Sequence, residues 1–390
     1  MKIQEIEIVG FKGITKLDLH PKQINLIVGK NNTGKTSILE AINSTLGVNA
    51  IDMKRRYDPH ISSLINVNTK ESKIVIKLER EAKYLLLTKP EPTDVILEFK
   101  KDLINRIKEF ARSSDKDNWK VAEDILDKIL TKEGLIHEIG KESIKIESSE
   151  IENKTFNLFS YTPSIIKELE PFMEYVTKEI FSRRIPPRFM ESMLTRMHFL
   201  RRPSIEKSEN SVVLIDELRM DEEDVFSSSK KKIDDIQTYL QDGRFIENLK
   251  RFDFDKILFE DGSEIPYSFM GDGFKCLVGL ISRISPKANI VLLEEPENHM
   301  HPAYIKDLIR QIVKFSKMDN IQFFITTHNS DILDIVTTEG ELEPDYENYL
   351  SQQLNVIRLE CSDKDTISYE LSREEAREEL GELKLDLRGR

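Results

Sequence analysis

Residues 24–36 read Ile24-Asn25-Leu26-Ile27-Val28-Gly29-Lys30-Asn31-Asn32-Thr33-Gly34-Lys35-Thr36. The last eight fit G-x-x-x-x-G-K-[ST] without a mismatch, and the first five are a short apolar run of the kind a buried strand shows. Ser37-Ile38-Leu39-Glu40-Ala41-Ile42 follows with apolar residues at helical spacing. Strand, glycine-bounded loop and helix together form the context a phosphate-binding loop requires. Such a loop turns its backbone N–H groups, here from Gly29, Asn31, Asn32, Thr33 and Gly34, around the phosphates. The unpaired N–H groups of the first helical turn, around Lys35, Thr36 and Ser37, point the same way. Lys35 is expected to reach the β- and γ-phosphates as a point charge, and Thr36 to place its hydroxyl on Mg²⁺.

Outward from the loop, 390 residues suffice for two or three domains, and a hydrophobic content of 39% permits a sizeable core. The formal net charge of −12 argues against a surface that is basic all over, while leaving room for a local basic patch. The two cysteines, Cys276 and Cys361, are too few for a disulfide framework, and Cys276 lies in an apolar run that reads as core. Met1-Lys2-Ile3-Gln4-Glu5-Ile6-Glu7 alternates apolar and polar residues, which predicts a strand and not a secretory signal. No apolar run approaches the ~20 residues of a membrane span. The chain is therefore expected to be cytoplasmic.

In chain order, strands are expected at residues 2–8 and near 17–19, ahead of the loop and a helix to about residue 46. Alternation then predicts antiparallel strands at Ile74-Val75-Ile76-Lys77-Leu78, Tyr84-Leu85-Leu86-Leu87 and Val95-Ile96-Leu97. Leu103, Ile107, Phe110, Val121, Ile125 and Ile129 predict two charged amphipathic helices over 101–130. Strands at 144–146 and 156–159 and a helix over 165–181 complete the middle of the chain. Arg183, Arg184, Arg188, Arg196, Arg201 and Arg202 stand against the single acid Glu191 and interleave with Phe189, Met190, Met193 and Phe199. The stretch reads either as a solvated segment whose arginines pair with the acid-rich remainder or as a phosphate-backbone or partner surface.

Three stretches of the second half carry chemistry. Ile290-Val291-Leu292-Leu293-Glu294-Glu295 is an apolar strand ending on two adjacent carboxylates, which a period of two turns to opposite sides. Glu294 is assigned to the metal shell with Thr36, and Glu295 to polarising a water. Phe323-Phe324-Ile325-Thr326-Thr327-His328 is a second such strand; the 33 residues from Glu295 to His328 allow a crossover helix, which sets His328 beside Glu295 on one sheet edge. Ser268-Phe269-Met270-Gly271-Asp272-Gly273 precedes a helical run, either as its cap or as a second anion-binding terminus. His299 and His301 form an H-x-H that Pro302 and the following helix argue against as a metal pair.

The order of these stretches resembles the ABC-type ATPases of the SMC, RecF and OLD group: phosphate loop, long insertion, Ser-Phe-Met-Gly-Asp-Gly, Leu-Glu-Glu-Pro-Glu-Asn, Thr-Thr-His. Phe11-Lys12-Gly13-Ile14 ahead of the loop looks like that group too, and the chain is most similar to its stand-alone OLD-like members. The resemblance covers roughly residues 1–50 and 211–390. It implies an α/β fold, an ABC-type P-loop ATPase head of mixed sheet and flanking helices, with a long α+β insertion. The lobes are expected at 1–50 and 211–390, with the insertion at 51–210. It also implies ATP with Mg²⁺, Glu295, His328 and Lys35 as catalytic residues, and an ATP-dependent head-to-tail dimer. In that dimer Ser268, Gly271 and Gly273 of one subunit clamp the nucleotide of the other, with the segment around His299 and His301 at the subunit contact.

Two positions depart from the group: Glu294 replaces the more usual Asp, and the serine-glycine signature is not of the transporter kind. OLD-type proteins carry a Toprim nuclease after the ATPase, whereas 62 residues follow His328, and Asp363-Lys364-Asp365 lies in a hairpin turn. The resemblance thus implies a sensor or assembly subunit for a separately encoded effector, a Toprim-type nuclease, as in two-gene phage-defence systems. The alternatives are a RecF-like DNA-repair ATPase that clamps duplex DNA through Arg183–Arg202, and a nucleotide-dependent scaffold that scarcely hydrolyses.

Overall fold

The computed structural model describes residues 1–46, 61–90, 92–110, 116–141, 143–149, 156–159, 163–180, 212–216, 218–219, 230–242, 248–253, 255–284, 288–298, 300–362 and 365–387. The Arg183–Arg202 stretch and His299 lie outside them.

The apolar run before the loop is strand β3 (Ile24–Gly29) if the two N-terminal strands are β1 (Ile3–Phe11) and β2 (Ile14–Leu19). Its burial is complete because it sits at the centre of a six-stranded sheet with both faces covered. On one side it pairs in parallel with Gln322–Thr326, beyond which come Ile290–Glu294 and the edge strand Val212–Ile215. On the other side it pairs in parallel with Leu354–Ser362, which returns antiparallel as Asp365–Leu371. The C-terminal hairpin of Leu354–Ser362 and Asp365–Leu371 is therefore built into the sheet that carries the loop.

Side-chain alternation divides this sheet between two cores. Ile24, Leu26, Val28, Val291, Leu293, Phe323 and Ile325 face the C-terminal helices. Ile27, Ile290, Leu292, Phe324 and Ile357 face the other way, onto α1 (Lys35–Leu46), whose Ile38, Leu39, Ala41 and Ile42 are fully buried. On the far side of α1 lies a second, antiparallel sheet. In it β2 and β1 continue into β4 (Glu71–Leu78), β5 (Ala82–Thr88), β6 (Ser143–Ser148) and β7 (Phe156–Phe159). The loop's helix is thus held between two sheets. That second sheet is made from residues on both sides of position 50.

The strand expected at Val95-Ile96-Leu97 is instead part of α2 (Pro92–Phe110). Val95, Phe99, Leu103 and Ile107 are each fully buried at intervals of four, a helical stripe that outweighs three consecutive apolar residues. The stripe packs against Lys116–Leu130 and the segments after 163 in a third, separate core. The single helix expected over 165–181 is broken: Pro163–Glu168 and Glu170–Tyr175 are followed by a π-helical turn, Val176–Ile180. Pro171, in the first turn of the second piece, lacks the N–H that a continuous helix would use there. No helix among the described residues is long and apolar enough to cross a membrane.

Candidate active site

Register decides where the chemistry gathers. Glu294 pairs with Thr326, and Thr326 pairs with Ile27, two residues short of Gly29. The three strands therefore end together at one edge, the crevice in which open parallel sheets take ligands.

Gly29 leaves β3 at φ +152°, and a Cβ there would stand 2.5 Å from the Leu359 carbonyl oxygen, so only glycine lets the neighbouring strand this close. Gly34 turns the chain into the helix at φ +98°, against Ile14. Between them Asn31 and Asn32 are exposed, Asn32 with a left-handed φ of +64°. Thr33 is buried and closes the loop on itself, its hydroxyl donating to the Lys30 carbonyl at 2.9 Å. The C-terminal hairpin backs this turn through the Thr366 hydroxyl, which donates to the Thr33 carbonyl at 3.4 Å. Thr36 and Ser37 are half-buried in the first helical turn.

Lys35 is buried, and its ammonium donates to the carbonyls of Gly29 at 2.9 Å and Lys30 at 2.8 Å. Burial lowers its pKa to about 8, while the charge of Glu295 acts in the opposite direction. The Thr36 hydroxyl donates to Glu294 Oε1 at 2.7 Å. The extra methylene of Glu294, compared with the Asp of the resembling group, thus still reaches the helix.

Glu295 takes a left-handed φ of +44° just past the strand end, which turns it away from Glu294. His328 lies beside it, with Nε2 2.9 Å from Glu295 Oε1, and Asn298 Nδ2 donates to Oε2 at 3.1 Å. A carboxylate only accepts, so Nε2 carries the imidazole proton in this contact. Burial holds the His328 pKa below its ordinary value, helped by the charge of Lys35 and opposed by Glu295. The expected neighbours Lys35, Thr36, Glu294, Glu295 and His328 are therefore all brought to one edge.

The serine-glycine stretch leads into a different helix. Ser268 and Gly271 are exposed at the start of helix Asp272–Arg283, which packs on Pro302–Met318. Gly273 differs from its two neighbours: a Cβ there would stand 2.3 Å from the Tyr304 ring, so its lack of a side chain is accounted for by packing inside the chain. His301 is exposed.

Residues 1–333 match the AAA ATPase domain family, AAA_15. The chain belongs to this family. An ATP/GTP phosphatase of Helicobacter pylori is 24% identical over 347 residues, covering 86% of this chain and 87% of that protein. The retron Vc95 probable ATPase of Vibrio cholerae is 26% identical over 133 residues. That match takes in 30% of this chain and spans only 26% of the retron protein's length. The SMC head domain from Thermotoga maritima superimposes with a TM-score of 0.46 at 11% identity, over 95% of this chain and 100% of that one.

In this AAA_15 chain the donor set suits one kind of metal. Among the described residues no group of three or more His, Cys, Asp or Glu could hold an ion. Thr36 and Glu294 offer two hard oxygens side by side, which fits Mg²⁺, an ion that keeps waters and takes its remaining ligands from phosphates. A buried cation, a glycine-bounded turn and a helix start fit the phosphates themselves.

Sequence reasoning missed two members of the constellation, Asn298 and Glu297. Both follow the strand end in Glu295-Pro296-Glu297-Asn298: Asn298 bonds Glu295 within its own turn, whereas the partners of Glu297, Thr327 and His328, lie on the neighbouring turn.

Proposed function

We propose that this AAA_15 protein binds ATP with Mg²⁺ on Gly29–Ser37, hydrolyses it, and uses the cycle to control a separate effector. The supporting observation is that Thr36–Glu294 and Glu295–His328 form two hydrogen-bonded pairs at adjacent strand ends beside the loop. Glycine-bounded backbone N–H groups and Lys35 hold the phosphates; Thr36 and Glu294 hold the ion, which when bound offsets charge on the β- and γ-oxygens. Glu295 accepts a proton from the water whose oxygen attacks the γ-phosphorus, as the bond to the bridging oxygen breaks and ADP leaves. His328, its pKa lowered by burial, donates its Nε2–H to Glu295 and so orients the carboxylate that takes the proton. Ser268 and Gly271, exposed, are available to the nucleotide of a second copy, with Phe269 between them 80% exposed.

Lys35 supplies a pH dependence whose sign is fixed. Without nucleotide its pKa is about 8, and phosphate binding needs the charged form. Binding therefore takes up a proton at alkaline pH, and ATP affinity falls about tenfold per pH unit above pH 8. Isothermal titration between about pH 7 and pH 9 reads this directly. Lys35→Arg, charged throughout, flattens the profile if it binds at all; a flat wild-type profile would remove Lys35 from the phosphate site.

The effector half of the proposal rests on the motif order and on the likeness to the retron ATPase. It is tested by isolating tagged Glu295→Gln protein from the cells that carry it, with and without ATP, and identifying what it retains by mass spectrometry. A nuclease-like protein held in one nucleotide state is the expected result. Nucleic acid with repair proteins in its place would move the reading to a DNA clamp, and the absence of any partner would sink it.

A further inference from the structure

Beyond the strand ends, the sheet ladder between Ile290–Glu294 and Gln322–Thr326 stops. Its last backbone tie is the Glu295 N–H, which donates to the Thr326 carbonyl at 3.0 Å. The turns that follow, 296–298 and 327–329, carry the two halves of the Glu295–His328 pair and must be held together by something else. Glu297 spans them. It is 7% exposed, and its Oε1 accepts from the Thr327 hydroxyl at 2.5 Å and from the His328 backbone N–H at 3.1 Å. Thr327 Oγ1 in turn accepts from the Asn329 N–H at 2.9 Å, and Asn329 Oδ1 caps the next helix through the Asp331 N–H at 2.7 Å. One carboxyl oxygen thus fixes the three residues around His328 to the turn that bears Glu295.

We infer that Glu297 is a positioning residue: through Thr327 and the His328 N–H it holds the imidazole against Glu295. A stitch placed only for stability would not need a carboxyl here. Its second oxygen, Oε2, is buried without a hydrogen-bond partner among the described residues, a cost that an apolar side chain would avoid. The Oε1 acceptor is what the site uses. Burial raises the carboxyl's pKa against the pull of its hydrogen bonds, which favours the protonated form at this position. A glutamine has that same shape and the same acceptor, so it is the conservative substitute.

The inference rests on the proposed hydrolysis for its kinetic consequence, but not for its direct readout. In full-length protein with ¹⁵N-labelled histidine, the His328 ring signal is assigned by its loss in His328→Gln. Glu297→Ala is expected to abolish the hydrogen-bonded Nε2–H signature of His328, and Glu297→Gln to preserve it. Survival of that signature in Glu297→Ala overturns the inference whether or not the protein hydrolyses ATP. A wild type without turnover would fail the functional proposal alone.

For turnover, Glu297→Ala lowers kcat on the order of 10²-fold with KM little changed, because the imidazole is misplaced while the phosphate loop is not. Glu297→Gln stays near wild type. In a His328→Ala background, Glu297→Ala has no further effect; additive losses would mean that Glu297 acts otherwise. Should Glu297→Ala not fold, Thr327→Val removes one of the two bonds and moves both readouts in the same direction by less.

Discussion

Replacing Glu295 with Gln lowers turnover by about 10²–10⁴-fold while leaving ATP affinity within a few-fold of wild type. The size follows from what the substitution removes. Both carboxylate oxygens are engaged, Oε1 by His328 Nε2 and Oε2 by Asn298 Nδ2. Both partners are donors, so the amide's oxygen can serve only one of them while its NH₂ meets the other. The variant also loses the proton acceptor that the water needs. The contacts of the phosphate grip are kept, because Lys35 and Thr36 bond Gly29, Lys30 and Glu294, and losing the Glu295 charge acts on Lys35 only through its pKa, which falls further. Lys35→Ala behaves differently, losing binding and turnover together. Equilibrium binding beside single-turnover hydrolysis separates the two patterns. A Glu295→Gln protein within about threefold of wild-type turnover would place the proton acceptor elsewhere.

The candidate site is legible in the sequence wherever chemistry and chain proximity coincide. Gly29 to Thr36 is one contiguous turn, so spacing alone gave the loop, and the left-handed φ of Asn32 and wide φ of Gly29 suit the residue types found there. Glu294, Glu295 and His328 were legible for a different reason: a strand end announces itself where an apolar run meets polar residues. Glu297 could not be found this way. It reads as one more acid in a polar turn, because even with the two strands as neighbours, spacing does not say which side chain of one turn crosses to the other.

The Val95–Leu97 error has the opposite origin. A helical stripe at Val95, Phe99, Leu103 and Ile107 was present in the sequence, but a short apolar triplet after two real strands drew the period of two. Motif order groups Gly273 with Ser268 and Gly271, but its close approach to Tyr304 turns it inward.

Replacing Arg373 with Ala destabilises the C-terminal lobe on the order of 3 kcal/mol. Arg373 is 5% exposed, a rare condition for this side chain, and the neighbouring backbone explains it. Its Nε donates to the Val336 carbonyl at 2.8 Å and its Nη2 to the Thr338 carbonyl at 3.1 Å, the last turn of helix Ser330–Thr337. Nη1 reaches the Glu347 carbonyl and the Ser351 hydroxyl, each at 3.2 Å, on helix Pro344–Gln353. A positive charge at a helix C-terminus also faces the negative end of its dipole.

Alanine leaves those carbonyls without partners in a space too closed for water to replace every bond. Lysine keeps the charge but cannot fork to both helices, and is expected to recover less than half of the loss. The denaturant midpoint of the first unfolding transition measures this; a shift below about 1 kcal/mol would mean that solvent reaches the freed carbonyls. Helix Ser330–Thr337 starts at Asn329, one residue after His328, and the frame it gives to that histidine is anchored at its far end by Arg373. Arg373→Ala therefore loosens His328 from behind and lowers turnover as well as stability, whereas the effect of Glu295→Gln falls mainly on turnover.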